Sequence, residues 1–152
     1  MPRGSAIILE GKKVALIKRT GGLYEHIYYV YPGGKVEKGE TVEEATIREV
    51  EEETGLIVAI DRLIAEVEFK GKIQYYYLTK IIAGKFGEGT GPEMRGFYDE
   101  NHGEYDAVWM SIENLIKNPV YPECVTRAVV ESRSNGWPDE VIKCKDTEKK
   151  EN

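Results

Sequence analysis

The sequence predicts an α+β domain, with strands flanking a central helix and a second helix late in the chain. Short β-branched and aromatic runs recur on both sides of one strongly signposted helix. That helix has a start signal at Thr41 and a stop signal at Gly55. A second stretch, Glu123 to Ser132, is amphipathic, with Val125, Ala128 and Val129 on one side. At 152 residues the chain suffices for one domain with a real core and is too short for two ordinary ones.

Taken in order, Ser5 to Leu9 is apolar and β-branched, which suits a strand. Glu10 to Lys13 turns, and Val14 to Lys18 returns as a second strand, giving a hairpin. Tyr24 to Tyr31 reads as a strand running into the tight turn Pro32-Gly33-Gly34. The central helix follows. Ile57 to Ile64 makes one or two strands, and Glu66 to Lys70 alternates cleanly. Gly71-Lys72 turns the chain into Ile73 to Ile82, the strongest strand signal present. Gly84 to Gly103 is glycine-rich without apolar periodicity, and loops of that length are usually functional or disordered. Glu104 to Met110 is a strand, and Ser111 caps a short helix. The expected domain is 1–142, with 143–152 a polar, disordered tail.

A net charge of −6 argues against a broad basic surface for DNA, though a metal and a few local cations suffice for a free nucleotide. No apolar run approaches the ~20 residues of a membrane span. The N-terminus lacks a signal-peptide core, so a cytoplasmic location is expected. Cys124 and Cys144 have no zinc spacing and read as two reduced thiols.

The stretch from Gly34 to Leu56 carries the chemistry. Thr41 and Glu44 form a capping box. Glu49, Glu52 and Glu53 are spaced i, i+3, i+4, which gathers them on one helical face. Carboxylates so close repel one another unless a cation sits among them, and oxygen ligands suit Mg²⁺, or Mn²⁺ in its place. Such a face can bind a diphosphate through the metal and lower the pKa of a water, while a spare carboxylate takes the proton. No Walker phosphate loop is present, and no nucleophile–histidine pattern stands out, which fits water as the nucleophile.

Gly34, Glu40, Arg48, Glu49, Val50, Glu52, Glu53, Gly55 and Leu56 fill every fixed position of G-x5-E-x7-R-E-U-x-E-E-x-G-U, where U is bulky and aliphatic. In this the chain resembles the Nudix hydrolases. The resemblance implies the Nudix fold, a mixed sheet sandwiched between helices, and cleavage of a pyrophosphate bond in a nucleotide. It implies Glu49, Glu52 and Glu53 as metal ligands, with the Gly33 carbonyl a further one. Arg48 would orient carboxylates, Glu40 among them, without touching substrate. The general base is a box glutamate or a loop acid: Glu104, Glu100 or Glu93. Lys18 and Arg19 are candidate phosphate contacts, and Tyr75 in the tyrosine run is a candidate for stacking on a base. The expected partner is a small nucleotide, not DNA or a membrane, bound by a monomer or homodimer. The competing readings are a non-catalytic nucleotide sensor and a capped-RNA hydrolase.

Overall fold

The computed structural model describes residues 2–20, 26–89 and 104–146. Its strands are β1 (Arg3–Ile7), β2 (Leu9–Glu10), β3 (Lys13–Thr20), β4 (Tyr28–Val30), β5 (Gly33–Lys35), β6 (Leu56–Phe69), β7 (Lys72–Gly84), β8 (Glu104–Ser111), β9 (Val120–Tyr121) and β10 (Ile142–Lys145). Helix α1 spans Val42–Thr54 and α2 spans Glu123–Asn135, with a 3-10 helix over Ile112–Lys117.

The strands form two sheets. One runs β10-β6-β7-β1-β5, mixed because β10–β6 and β7–β1 are parallel pairs while β6–β7 and β1–β5 are antiparallel. The other is built on β3, with β8 along one edge and β2 and β4 sharing the opposite edge; β9 lies beyond β4. The expected Ser5–Leu9 strand therefore divides at Ile8: its first part joins one sheet, and Leu9 hairpins onto β3 in the other. Ile57 to Lys70 is one strand, β6, broken only by register shifts. It turns into β7 through Lys70 and Gly71, both at positive φ (52° and 78°), as a two-residue hairpin turn requires.

Alternation along β1 sets the layers. Ala6 and Ile8 face one way and pack with Val50 of α1 and with Leu56 and Val58. Ile7 faces the other way, into the larger core with Leu16, Ile64, Val67, Leu115, Val125 and Val129. Gly4 lies directly under α1, where a Cβ would overlap the Thr46 hydroxyl. The large sheet is thus covered by α1 on one face, while α2, the 3-10 helix and β3 contribute to the core on the other.

Two expectations change at the C-terminus. Ile142–Lys145 is a strand, β10, pairing in parallel with β6, so the ordered chain continues past 142 into the segment expected to be a disordered tail. Cys124 and Cys144 are not separate thiols: they form a disulfide across a sequence separation of 20. Sequence spacing hides this, because only the pairing of β10 with β6 brings Cys144 back to the first turn of α2. Closing a loop of that length is worth about 3 kcal/mol. Reduction is therefore expected to lower Tm by roughly 6–12 °C in a domain of this size. A melting curve that does not move in excess dithiothreitol would show that the bond adds nothing to stability.

Candidate active site

Helix α1 is placed by local signals. Thr41 accepts from the Glu44 N–H at 3.1 Å, and the Glu44 carboxylate accepts from the Thr41 N–H at 2.9 Å. Gly55 closes the helix in the left-handed region, φ 84°, donating to the Glu51 carbonyl. Between these caps Arg48 gathers acids. Its Nε and Nη2 form a fork on Glu40, at 2.7 and 3.1 Å. Nη1 reaches Glu49 and Glu52, each at 3.3 Å, and Nη2 also donates to the Lys35 carbonyl at 3.1 Å. Glu40 in turn accepts from the Glu37 N–H at 2.9 Å, so one arginine fixes both the helix face and the loop before it.

The charges respond. Hydrogen bonds from Arg48, then the Glu37 N–H, hold Glu40 below the usual carboxylate range. Glu49 moves the other way: burial raises it, partly offset by Arg48 and reinforced by Glu52. Arg48 is held charged more firmly than an ordinary arginine, first by its bonds to Glu40.

Glu53 departs from its neighbours. It is 8% exposed and accepts from the Gly33 N–H at 2.9 Å. Among the described residues, no group of His, Cys, Asp or Glu is gathered closely enough to hold an ion as the side chains stand. Glu49 and Glu52 turn to Arg48, while Glu53 turns to β5. The donor set still fits a hard divalent ion: it is all oxygen, and Glu49 is a carboxylate whose charge the fold leaves under-compensated.

Register explains how Gly33 meets Glu53. Val36 donates to Pro2 and Ala6 to Pro32, so hydrogen-bonded pairs fall at every second residue of the β1–β5 ladder. Gly33 faces Ser5 as a non-hydrogen-bonded pair, and its N–H and carbonyl both project away from β1. The N–H goes to Glu53. Both turn glycines are also required sterically. A Cβ on Gly33 would overlap the backbone of Gly4 and Ser5, whereas the three atoms nearest one on Gly34 are all of the Glu49 carboxylate. Gly33→Ala should therefore lower Tm by several degrees, the cost of roughly 1–3 kcal/mol of overpacking. Gly34→Ala should instead mainly displace Glu49 and be felt in catalysis. Equal melting losses in the two variants would contradict this division.

Glu53 and Gly33 open on a cavity of about 380 Å³ between the sheets. Arg19 lines it, with its guanidinium 4.1 Å from the Tyr105 ring centroid and 5.6 Å from that of Tyr28. Lys18 does not line the cavity; it alternates to the other face of β3, opposite Asp106. Tyr75 also lies away from it. Burial raises Tyr77 to about 12, and the next cause is Glu43 of α1. Tyr75 shares that face of β7 by alternation, and the cavity takes Tyr76 instead. Glu93 and Glu100 lie outside the described residues, as does the side chain of Glu104, whose backbone begins β8 opposite Thr20. Arg3, Ser5, Gln74, Tyr105 and Tyr121 line the cavity without any sequence signal having singled them out.

Fold and site define the class: an α+β domain whose arginine-braced acidic helix ends on a cavity between two sheets. The chain matches the NUDIX domain model over residues 2–127 and belongs to the Nudix family. It is 34% identical over 102 residues to the ADP-ribose pyrophosphatase of Methanocaldococcus jannaschii, covering 63% of this chain and 60% of that one. It is 44% identical over 80 residues to the 8-oxo-dGTP diphosphatase of Haemophilus influenzae, covering 47% and 54%. Each match spans little more than half of the relative's length. Among solved structures, a NUDIX hydrolase from Nitrosomonas europaea superposes with a TM-score of 0.70 at 18% identity, covering 94% of this chain and 77% of that one. An ADP-ribose pyrophosphatase from Streptococcus suis superposes with a TM-score of 0.63, also at 18% identity, covering 95% and 98%. At that identity the likeness is one of fold.

Proposed function

We propose that this chain hydrolyses a pyrophosphate bond in a nucleoside diphosphate-linked compound or a nucleoside triphosphate, with Mg²⁺ (or Mn²⁺) and water. The observation that carries the proposal is the shared cavity. Glu53 and Gly33 line the same space as Arg3, Arg19 and the rings of Tyr28, Tyr105 and Tyr121. A nucleotide offers a planar base for the rings and phosphates for the cations. Its diphosphate can then meet the carboxylate end.

Bound there, the ion would neutralise phosphate charge and lower the pKa of the attacking water. Glu49, Glu52 and Glu53 would hold it, together with the Gly33 carbonyl, which leaves β5 on the same side as the N–H bound to Glu53. Arg48 would keep Glu49 and Glu52 in place without reaching substrate. Proton removal falls to a box carboxylate or to one of Glu104, Glu100 and Glu93. A hundredfold loss of kcat in Glu104→Gln, Glu100→Gln or Glu93→Gln, the lower end for loss of a general base, would assign it to that residue; an unchanged kcat in all three would assign it to the box.

ADP-ribose and 8-oxo-dGTP, named for the two relatives, are the first compounds to test. The experiment is a nucleotide panel with Mg²⁺, extended to capped RNA, reading phosphate, pyrophosphate and nucleoside monophosphate release. Binding without turnover across the panel would replace the hydrolase with a nucleotide sensor. The proposal includes a monomer or homodimer acting in the cytoplasm on small nucleotides and not on DNA. On location, the Cys124–Cys144 disulfide weighs the other way, since such bonds are rare in reducing compartments.

A further inference from the structure

The two walls of the cavity differ in chemistry. Tyr28, Tyr105 and Tyr121 stand on the smaller sheet, with Tyr28 and Tyr121 centroids 6.3 Å apart and the Arg19 guanidinium over Tyr105. The facing wall comes from β1 and β7 and is polar. Ser5, Gln74 and Tyr76 line it at 5%, 9% and 5% exposure. Ser5 and Tyr76 are register partners in the parallel β1–β7 ladder, side by side on the cavity face. The Tyr76 hydroxyl donates to Gln74 Oε1 at 2.9 Å. Burial raises the phenol far above its ordinary value, so it stays protonated and able to donate.

Polar side chains buried this deeply cost stability unless satisfied, and a wall of Val and Leu would hold two sheets together at least as well. The network is therefore unexplained by the fold. Its consequence is directional. With Oε1 turned to Tyr76, the end of the Gln74 amide that remains is Nε2, which only donates.

We propose that Gln74, oriented by Tyr76, is a specificity-determining residue that donates to an acceptor atom on the uncharged part of the nucleotide, on the base edge or the ribose. This rests on the nucleotide reading of the cavity. The base or sugar lies between the tyrosine wall and the polar wall. Gln74 then discriminates among nucleotides that share a phosphate chain, while the acidic helix deals with the diphosphate common to all of them.

The test uses the full chain and two matched nucleotide series with the same phosphate chain, one varying the base and one varying the ribose 2′ position. Both kcat/KM with Mg²⁺ and calorimetric Kd are read. The wild type is expected to show a preference in one series. Gln74→Leu should shrink that preference by about tenfold, the scale of one hydrogen bond, mainly through KM, while the ordering in the other series stays as it was. The series affected identifies base or ribose as the source of the acceptor. Gln74→Glu is nearly isosteric and exchanges donor for acceptor. It should move the preference toward the member carrying a donor, and it keeps the test readable should the leucine variant fold poorly. Tyr76→Phe should give a smaller shift of the same sign.

The proposal is overturned if the wild type is indifferent within both series, if every substrate falls by one common factor, or if neither Gln74 variant changes the preference. Selective binding without turnover by the wild type would sink the hydrolase reading and leave this one standing. Absence of binding by any member would sink both.

Discussion

Glu53→Gln is expected to lower kcat at least a hundredfold on whatever nucleotide the wild type cleaves, with the fold intact. The magnitude is what loss of a metal ligand or a general base costs. The intact fold follows from geometry. Glu53 is 8% exposed and its structural duty is to accept the Gly33 N–H at 2.9 Å. A glutamine Oε1 can accept the same bond, so β5 keeps its tie to α1 while the negative charge disappears. Glu53→Ala differs: it orphans a buried N–H at a cost of about 1–3 kcal/mol and should melt several degrees lower. Steady-state kinetics and melting curves on both variants separate the roles. If Glu53→Gln stays within a few-fold of wild-type activity, Glu53 is a strut for the Gly33 turn and the metal assignment fails.

How much of this could be read from the chain depends on how local each cause is. The bounds of α1 were legible because Thr41, Glu44 and Gly55 act within a turn of the backbone they cap. Arg48's partnership with Glu40 was expected from the family motif, and the fork between them is where that expectation meets the structure. Which sheet a strand joins is a different kind of fact. Ser5 to Leu9 reads as one strand, yet it divides between sheets at Ile8, because β7, some seventy residues on, takes its first part while the local hairpin with β3 takes Leu9. The tyrosine run shows the same limit. Alternation dictates that Tyr75 and Tyr76 face opposite ways, but only the position of α1 decides that Tyr76 faces the cavity. Arg3, Ser5 and Gln74 become site residues solely because β1 and β7 pair across some seventy residues of sequence. The Cys124–Cys144 bond depends in the same way on the pairing of β10 with β6.

Arg48→Lys should lower kcat/KM by about 10–100-fold and raise the Mg²⁺ concentration needed for half-maximal activity, the usual cost of losing a group that orients metal ligands. Charge is conserved in this variant, so any loss reports on geometry. Arg48 makes a planar fork on Glu40 while reaching Glu49, Glu52 and the Lys35 carbonyl from other nitrogens. A lysine has one nitrogen and cannot hold those positions together. Released, Glu49 and Glu52 repel across adjacent turns of the helix. Glu40→Gln should give a milder version of the same defect, and the two changes should not add, because both break the same fork. Additive losses in the double variant would mean that Arg48 acts on Glu49 and Glu52 independently of Glu40. The pH dependence has a definite sign. Glu40 is depressed, so its contact with Arg48 is complete at neutral pH and is lost only as pH falls through a value below the ordinary 4.5. Glu49 is raised, so in the ion-free protein its carboxylate begins to protonate above that same 4.5. On acidification, metal-dependent activity should therefore fail first through Glu49, while the Arg48–Glu40 brace still holds. Glu49→Gln should remove that first loss from the pH profile of Mg²⁺ binding, and a profile unchanged by the substitution would place the titrating group elsewhere.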